Sequence, residues 1–234
     1  AVLNEGRIDL IEADFVDNRL QTASADTGGA AVRIPRQGKL FTIRNANFIA
    51  NTAASDSGRV LGGALSVSGT VDGLITNPVF IGNGARGRSA DSAFGGAVYT
   101  EKPLTFSIDG KQNAVFSGNK ANGRLNDIHN LGALNVSGNL TLDGGISGNG
   151  TTTFARGAQL TVKTGTTTIS NRVVNNGATL NLIFDNGFSG RYELITDDGS
   201  LDREFSIAGN NLYNITGIEN GIYNVNKKSA AEVS

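Results

Sequence analysis

Three residue types are missing altogether, since the 234 residues include no cysteine, no methionine and no tryptophan. Without cysteine there is no disulfide, no thiolate nucleophile and no thiolate metal site. Proline is scarce, at 3, and there is 1 histidine. Charge is sparse and balanced, at 20 basic against 21 acidic residues for a net of −1. No basic stripe is visible, which argues against a nucleic-acid binder held by counterion release. No apolar run is long enough to span a bilayer, and no signal peptide is present. The chain opens without methionine and inside a repeat, so a processed chain or excised fragment is expected, with any export signal or anchor outside it. No window carries a sustained 3.6-residue apolar period, so helices are not expected. What remains is 32 Gly amid abundant Asn, Ser and Thr, with apolar residues (38%) spread along the chain. That composition predicts many short strands with frequent turns.

A repeat organises the first half. Phe15, Phe48, Phe80 and Phe116 are each followed three residues later by Asn18, Asn51, Asn83 and Asn119. The steps between the Phe residues are 33, 32 and 36. Each pair precedes a small-residue turn: Gly28-Gly29-Ala30, Gly62-Gly63-Ala64, Gly95-Gly96-Ala97 and Leu131-Gly132-Ala133. A repeat kept in register while its loops drift in length means stacked copies of one unit. Within a period the apolar residues form three alternating runs, for example Ala97–Thr100, Leu104–Ile108 and Ala114–Ser117. Three half-buried strands per period describe one turn of a three-sided β-solenoid.

In such a stack each strand pairs in parallel with its equivalent about 4.8 Å away, and equivalent side chains form ladders. Phe15, Phe48, Phe80 and Phe116 are expected as an internal aromatic ladder. Asn18, Asn51, Asn83 and Asn119 are expected as an amide ladder at one corner. The Gly-Gly pairs supply positive φ and close approach at the next corner, with the following Ala turned inward.

GGA followed by Ile, Leu or Val and alternating with FxxN resembles the repeat of polymorphic-membrane-protein type autotransporter passengers. Gly62–Leu65 and Gly95–Val98 match fully, Gly28–Ala31 weakens the last position, and Leu131–Leu134 has lost the first Gly. The resemblance covers about residues 8–136. It implies an all-β, right-handed, pectate-lyase-like parallel β-helix at the bacterial surface or secreted from it, engaged in adhesion or host-cell binding. It also implies a membrane β-barrel downstream in the full-length protein, this part inserting in no membrane itself. The absence of cysteine agrees with export, because premature disulfides hinder translocation.

The expected organisation is then 1–136 with long corner loops, 137–183 as tighter coils, 184–226 as a C-terminal β cap, and 227–234 as a solvated tail. Leu160 to Leu180 is 20 residues, close to a minimal three-sided coil. About seven to nine coils are expected, roughly 35–45 Å long. Solenoid ends need covering, because exposed strand edges template aggregation. The hairpin-like runs Gly190–Ile195 and Gly221–Val225 are the expected cover, resembling the cap of autotransporter passengers.

Function is expected in what varies between repeats. The loops from FxxN to the glycine corner carry Arg19 and Asp26; Asp56 and Arg59; Arg86, Arg88 and Asp91; and Lys120, Arg124, Asp127 and His129. Three share a Ser/Asp core, at Ser24–Asp26, Ser55–Ser57 and Ser89–Ser92. Stacked at one corner they form either a binding ridge or solvated excursions with local capping pairs. A host cell-surface protein, a matrix component or self-association is the expected partner, with no cofactor and no metal. A carbohydrate-active β-helix enzyme is the alternative, and Asp127 with His129, placed on a loop, is its one His–carboxylate pair. Glycoside hydrolysis needs two carboxylates at a set distance, and no such pair is evident. A purely structural or self-associating module is the third possibility.

Overall fold

A computed structural model describes residues 1–23, 25–69, 73–107, 112–184, 188–196, 198–229 and 232. Its strands wind around a common axis and pair in parallel from coil to coil. The first face runs Val2–Leu3, Val32–Ile34, Leu65–Val67, Val98–Thr100, Ile128–Asn130 and Ile146–Ser147. Single bridges carry it on through Ile169 and Ile195. The second face has eight strands, from Ile8–Ile11 to Ser200–Leu201, and the third has eight, from Asp14–Val16 to Ser206–Ile207. The molecule is a three-sided parallel β-helix of eight coils, and seven inter-strand steps make it about 34 Å long.

Alternation in sequence becomes alternation of burial. Val32 and Ile34 are fully buried and Arg33 between them points out. Register is strict enough that large residues sit over small ones. Phe41 pairs with Gly73, and a Cβ on Gly73 would lie 2.1 Å from the Phe41 ring. The apolar core is continuous through all the coils.

Both expected ladders form. The rings of Phe15, Phe48, Phe80 and Phe116 stack with centroids 5.0, 4.4 and 4.8 Å apart and interplanar angles of 10°, 7° and 17°. The Asn18, Asn51 and Asn83 Nδ2 groups each donate to Oδ1 of the next asparagine, at 2.8, 3.0 and 2.9 Å. Each Oδ1 also accepts the backbone N–H of the preceding asparagine. The second Nδ2 hydrogen of Asn51, Asn83 and Asn119 binds the carbonyl of Phe15, Phe48 and Phe80. The parallel rise sets one amide within hydrogen-bond reach of the next, so a single side-chain type repeats at this corner.

The glycine corner needs two corrections. Val32 pairs with Leu65, Leu65 with Val98, and Val98 with Ile128. That register sets Gly29-Ala30-Ala31 beside Gly62-Gly63-Ala64 and Gly95-Gly96-Ala97, so the first repeat starts one residue later than Gly28. Left-handed backbone at Gly29, Gly62 and Gly95 (φ 66°, 79° and 66°) marks the same alignment. A Cβ on Gly63 would fall 2.1 Å from the Gly96 carbonyl oxygen, so close backbone approach requires this glycine. The fourth member is not Leu131-Gly132-Ala133 but Leu125-Asn126-Asp127. Leu134 belongs to the second face, paired with Leu104. The excursion is shorter here, with 9 residues from Asn119 to Ile128 against 15 from Asn83 to Val98. A small-residue triplet one strand further on imitates the missing motif.

Beyond Asn130 the coils tighten as expected, and Leu160 pairs with Leu180 in the 20-residue coil. The expected cap over 184–226 is only partly a cap. Ile195, Ser200–Leu201 and Ser206–Ile207 pair in parallel as the eighth coil, and a three-stranded antiparallel sheet of Gly190–Glu193, Ile222–Lys227 and Tyr213–Gly217 is built around it. This part docks on the last coils through Tyr192 Oη, which donates to the Thr167 carbonyl at 2.6 Å, and through Ile169 N–H to Leu194 O at 2.7 Å. The tail begins later than residue 227, because Lys227 closes a strand and Lys228 N–H binds Leu212 O. Residues 230, 231, 233 and 234 lie outside the described residues, as does Ile108 of the expected strand.

Candidate functional site

The excursions between the third and first faces are not loops. They pair into a fourth sheet, with Arg19–Thr22, Thr52–Ser55, Gly84–Arg86 and Lys120–Ala121 in parallel. Arg124–Leu125 folds back antiparallel on the last of these, and Val60–Leu61 pairs with Ala93–Phe94 on the return limb. Between the limbs lies a second, small apolar cluster of Ala30, Ala53, Val60, Ala85, Ala93 and Ala121, with Leu20 packed on it. The sequence signal was present in Leu20, Ala53, Ala85 and Ala121, each two positions after a ladder asparagine. Alanine alternating with Thr, Gly or Lys is too weakly apolar to stand out as a strand.

This side lobe carries most of the candidate residues on its outside. Arg19, Thr52, Gly84 and Lys120 share one register, and Gln21, Ala54 and Arg86 the next. Arg19 reaches Asp17 Oδ1 at 3.2 Å, with both side chains largely in solvent. Asp26 and Arg59 join the first two coils. The Arg59 Nε and Nη2 groups donate to Asp26 Oδ2 at 2.9 and 2.7 Å, and its backbone N–H to Oδ1 at 2.7 Å. The guanidinium beside it holds the Asp26 carboxyl below the usual range. Asp56 lies in an exposed turn, with its N–H on Thr22 O. Arg88 precedes and Asp91 lies within a single turn of 3-10 helix at Ala90–Ser92, closed by reciprocal bonds between Ser89 and Ser92. Arg124 is exposed on the antiparallel return. In the Ser/Asp core, Ser55 is a turn-closing group that donates to Ala25 O and accepts Gly58 N–H. Ser24 lies outside the described residues.

Asp127, contrary to expectation, is not on a loop surface. It is fully buried and ends the asparagine ladder. Its Oδ1 accepts Asn119 Nδ2 at 2.8 Å, and Oδ2 accepts the N–H groups of Gly144 and Gly145 at 2.7 and 3.2 Å. A carboxylate offers only acceptors, so it terminates a donor–acceptor chain that another asparagine would continue. Burial pushes its pKa up to about 7, further assisted by Asp143. His129 is also not on a loop but within the strand Ile128–Asn130. Its ring lies parallel to Tyr99 at 5.6 Å and tilted on Phe94 at 4.9 Å, with Nδ1 2.8 Å from Ser147 Oγ. Burial draws its pKa down to about 4. Asp127 and His129 share no hydrogen-bonding partner, so they do not form an acid–base pair.

Their titrations oppose one another. Folded Asp127 holds its proton longer than an unfolded aspartate, so its contribution to stability falls as pH rises from about 4 to about 7. Folded His129 binds its proton later than an unfolded histidine, so its contribution rises between about 4 and 6.5. Near-cancellation is expected in the native protein, because a tenfold change in either group's proton affinity corresponds to about 1.4 kcal/mol and the two act in opposite senses. Asp127→Asn should unmask a stability that rises from pH 4.5 to 6.5, and His129→Gln one that falls. Urea unfolding at the two pH values reads this directly, and equal pH slopes in both variants would refute the assignment.

Among the described residues no group of three or more His, Asp or Glu is arranged to hold a metal ion. Comparison with protein-family models, characterised proteins and solved structures returns no match.

Proposed function

We propose that this chain is a recognition module of an exported bacterial surface protein, an autotransporter-type passenger whose β-helix presents the side lobe to a host surface or matrix component. The carrying observation is the lobe itself. Four successive coils divert chain into a fourth sheet with its own small core, and the outward positions of that sheet hold Arg, Lys, Thr and Gln. None of these outward groups is needed to close the solenoid. Side chains held on a rigid scaffold but unused by it are where recognition is commonly placed. The Phe-x-x-Asn and Gly-Gly-Ala repeats support the kinship with autotransporter passengers, and the lack of cysteine supports export.

A carbohydrate-active enzyme has less in its favour, because Asp127 is consumed as a ladder terminus and His129 faces Ser147 instead of a carboxylate. Deleting residues 52–61 and 84–94 is a poor test, since together they remove four of the six buried residues of the lobe's core (Ala53, Val60, Ala85 and Ala93). Substitution on the outer face is cleaner. Labelled protein should bind cultured cells or immobilised matrix saturably, and Arg19→Ser, Arg86→Ser and Lys120→Ser combined should lower that binding about tenfold or more with an unchanged far-UV spectrum. Saturable binding that survives the triple variant would remove the lobe from the proposal, and no saturable binding on any surface would remove the function.

A further inference from the structure

The geometry points to a linear acidic polysaccharide as the ligand of the side lobe, lying across the outer face of its sheet. This rests on the recognition role proposed above and names its chemistry. A shallow groove of about 280 Å³ is lined by Arg19, Leu20, Gln21, Thr52, Ala54 and Arg86. A smaller one of about 120 Å³ adjoins it, lined in part by Thr52, Gly84, Arg86 and Lys120. Arg86 and Thr52 belong to both, so the two form one trough.

The trough has a cationic rim and a narrow floor where the polar Gln21 and Thr52 stand beside Leu20 and Ala54. Arg19 stands on the first coil, Arg86 on the third and Lys120 on the fourth. At one strand spacing per coil, they are about 10 and 5 Å apart along the axis. Among the described residues the ion pairs are Arg19 with Asp17 and Arg59 with Asp26, which leaves Arg86 and Lys120 without a carboxylate partner. Such a row on a protein of net charge −1 is local and not a consequence of overall basicity.

Charge complementarity requires an anionic occupant, and the spacing requires a chain with several charges. The floor decides which polyanion. No aromatic side chain lines either groove, so bases of a single-stranded nucleic acid have no stacking platform. Gln21 and Thr52 offer donors and acceptors suited to hydroxyl groups, and Gly84 leaves the middle of the trough open for a ring to settle. The guanidinium of Arg86 can hold a sulfate or carboxylate by two parallel bonds, and Lys120 acts as a point charge.

The test is titration of the intact chain with heparin, polygalacturonate, neutral dextran and single-stranded DNA, at low and high salt. Binding to at least one of the two acidic polysaccharides is expected, weakened by salt, with no binding to dextran. Heparin alone identifies sulfate as the recognised group, and polygalacturonate alone identifies carboxylate. Arg86→Gln and Lys120→Gln should each weaken binding about 3–10-fold. Asp17→Asn should tighten it by freeing Arg19. Gly84→Ile tests shape without touching charge. Its Cβ would lie 3.6 Å from Thr52 Oγ1 in ordinary contact, so the strand tolerates it while the trough is filled. Binding unchanged in the Arg86→Gln/Lys120→Gln double variant, equal binding of dextran, or DNA binding with the same variant dependence would overturn the proposal. Cell binding that is lost in the triple serine variant but insensitive to added polysaccharide would overturn this ligand alone and leave the recognition role standing.

Discussion

Asn83→Ala is expected to destabilise the fold by about 3–5 kcal/mol, more than any surface change in the lobe. Asn83 is almost fully buried and sits in mid-ladder. Its Oδ1 accepts the backbone N–H and Nδ2 of Asn51, and its Nδ2 donates to Phe48 O and Asn119 Oδ1. Truncation strands two donors and a carbonyl where water has no access, and each unsatisfied group costs about 1–3 kcal/mol before relaxation. The loss should also be local. Amide exchange at Asn51, whose N–H loses its acceptor, should accelerate more than exchange in the tight coils around Leu160 and Leu180. Asn47→Ala is the control, because its side chain bonds the exposed Asp14, and a change within about 0.5 kcal/mol is expected. Urea midpoints for the two variants that differ by less than about 1 kcal/mol in derived stability would contradict the ladder's role.

Phe80→Ala should cost about 4–5 kcal/mol, from a fully buried ring removed with two stacked neighbours at 4.4 and 4.8 Å. The solenoid cannot collapse to fill the space, because backbone pairing fixes the coil spacing on all three faces. Phe80→Leu keeps most of the volume and should cost about 1–2 kcal/mol. Phe15→Ala removes a ring with one stacked neighbour, at 5.0 Å, and 8% exposure. It should cost clearly less. Thermal and urea unfolding of the three variants provide the order, and equal losses at positions 15 and 80 would argue that the rings contribute as separate apolar groups instead of as a ladder.

Both ladders were legible because a parallel coil converts equal spacing in sequence into contact in space. Phe15, Phe48, Phe80 and Phe116 needed only their steps of 33, 32 and 36 to be recognised as neighbours. The glycine corner was harder, since Ala30 stands in the first repeat where Gly63 and Gly96 stand in the next two. With Gly28 just upstream, the motif looks complete one residue early. Pairing of Val32 with Leu65 is what fixes it. Asp127 was hidden for a different reason. A lone aspartate in a polar stretch looks solvated unless it is known that Asn119 ends beside it and that Gly144 and Gly145 bring two N–H groups to its carboxylate.

Sequence alone therefore determined the period, the three half-buried strands per coil and the two ladders, because those follow from local alternation and fixed chain spacing. It did not separate the eighth coil from the cap sheet within 184–226. Tertiary structure decided the side lobe, the true fourth corner, the burial of Asp127 and the row of Arg19, Arg86 and Lys120. Those depend on which residues face one another across neighbouring coils, where a shift of one residue exchanges inside for outside. Alanine and threonine carry too little hydrophobic contrast to announce that choice, and the register imposed by neighbouring coils makes it for them.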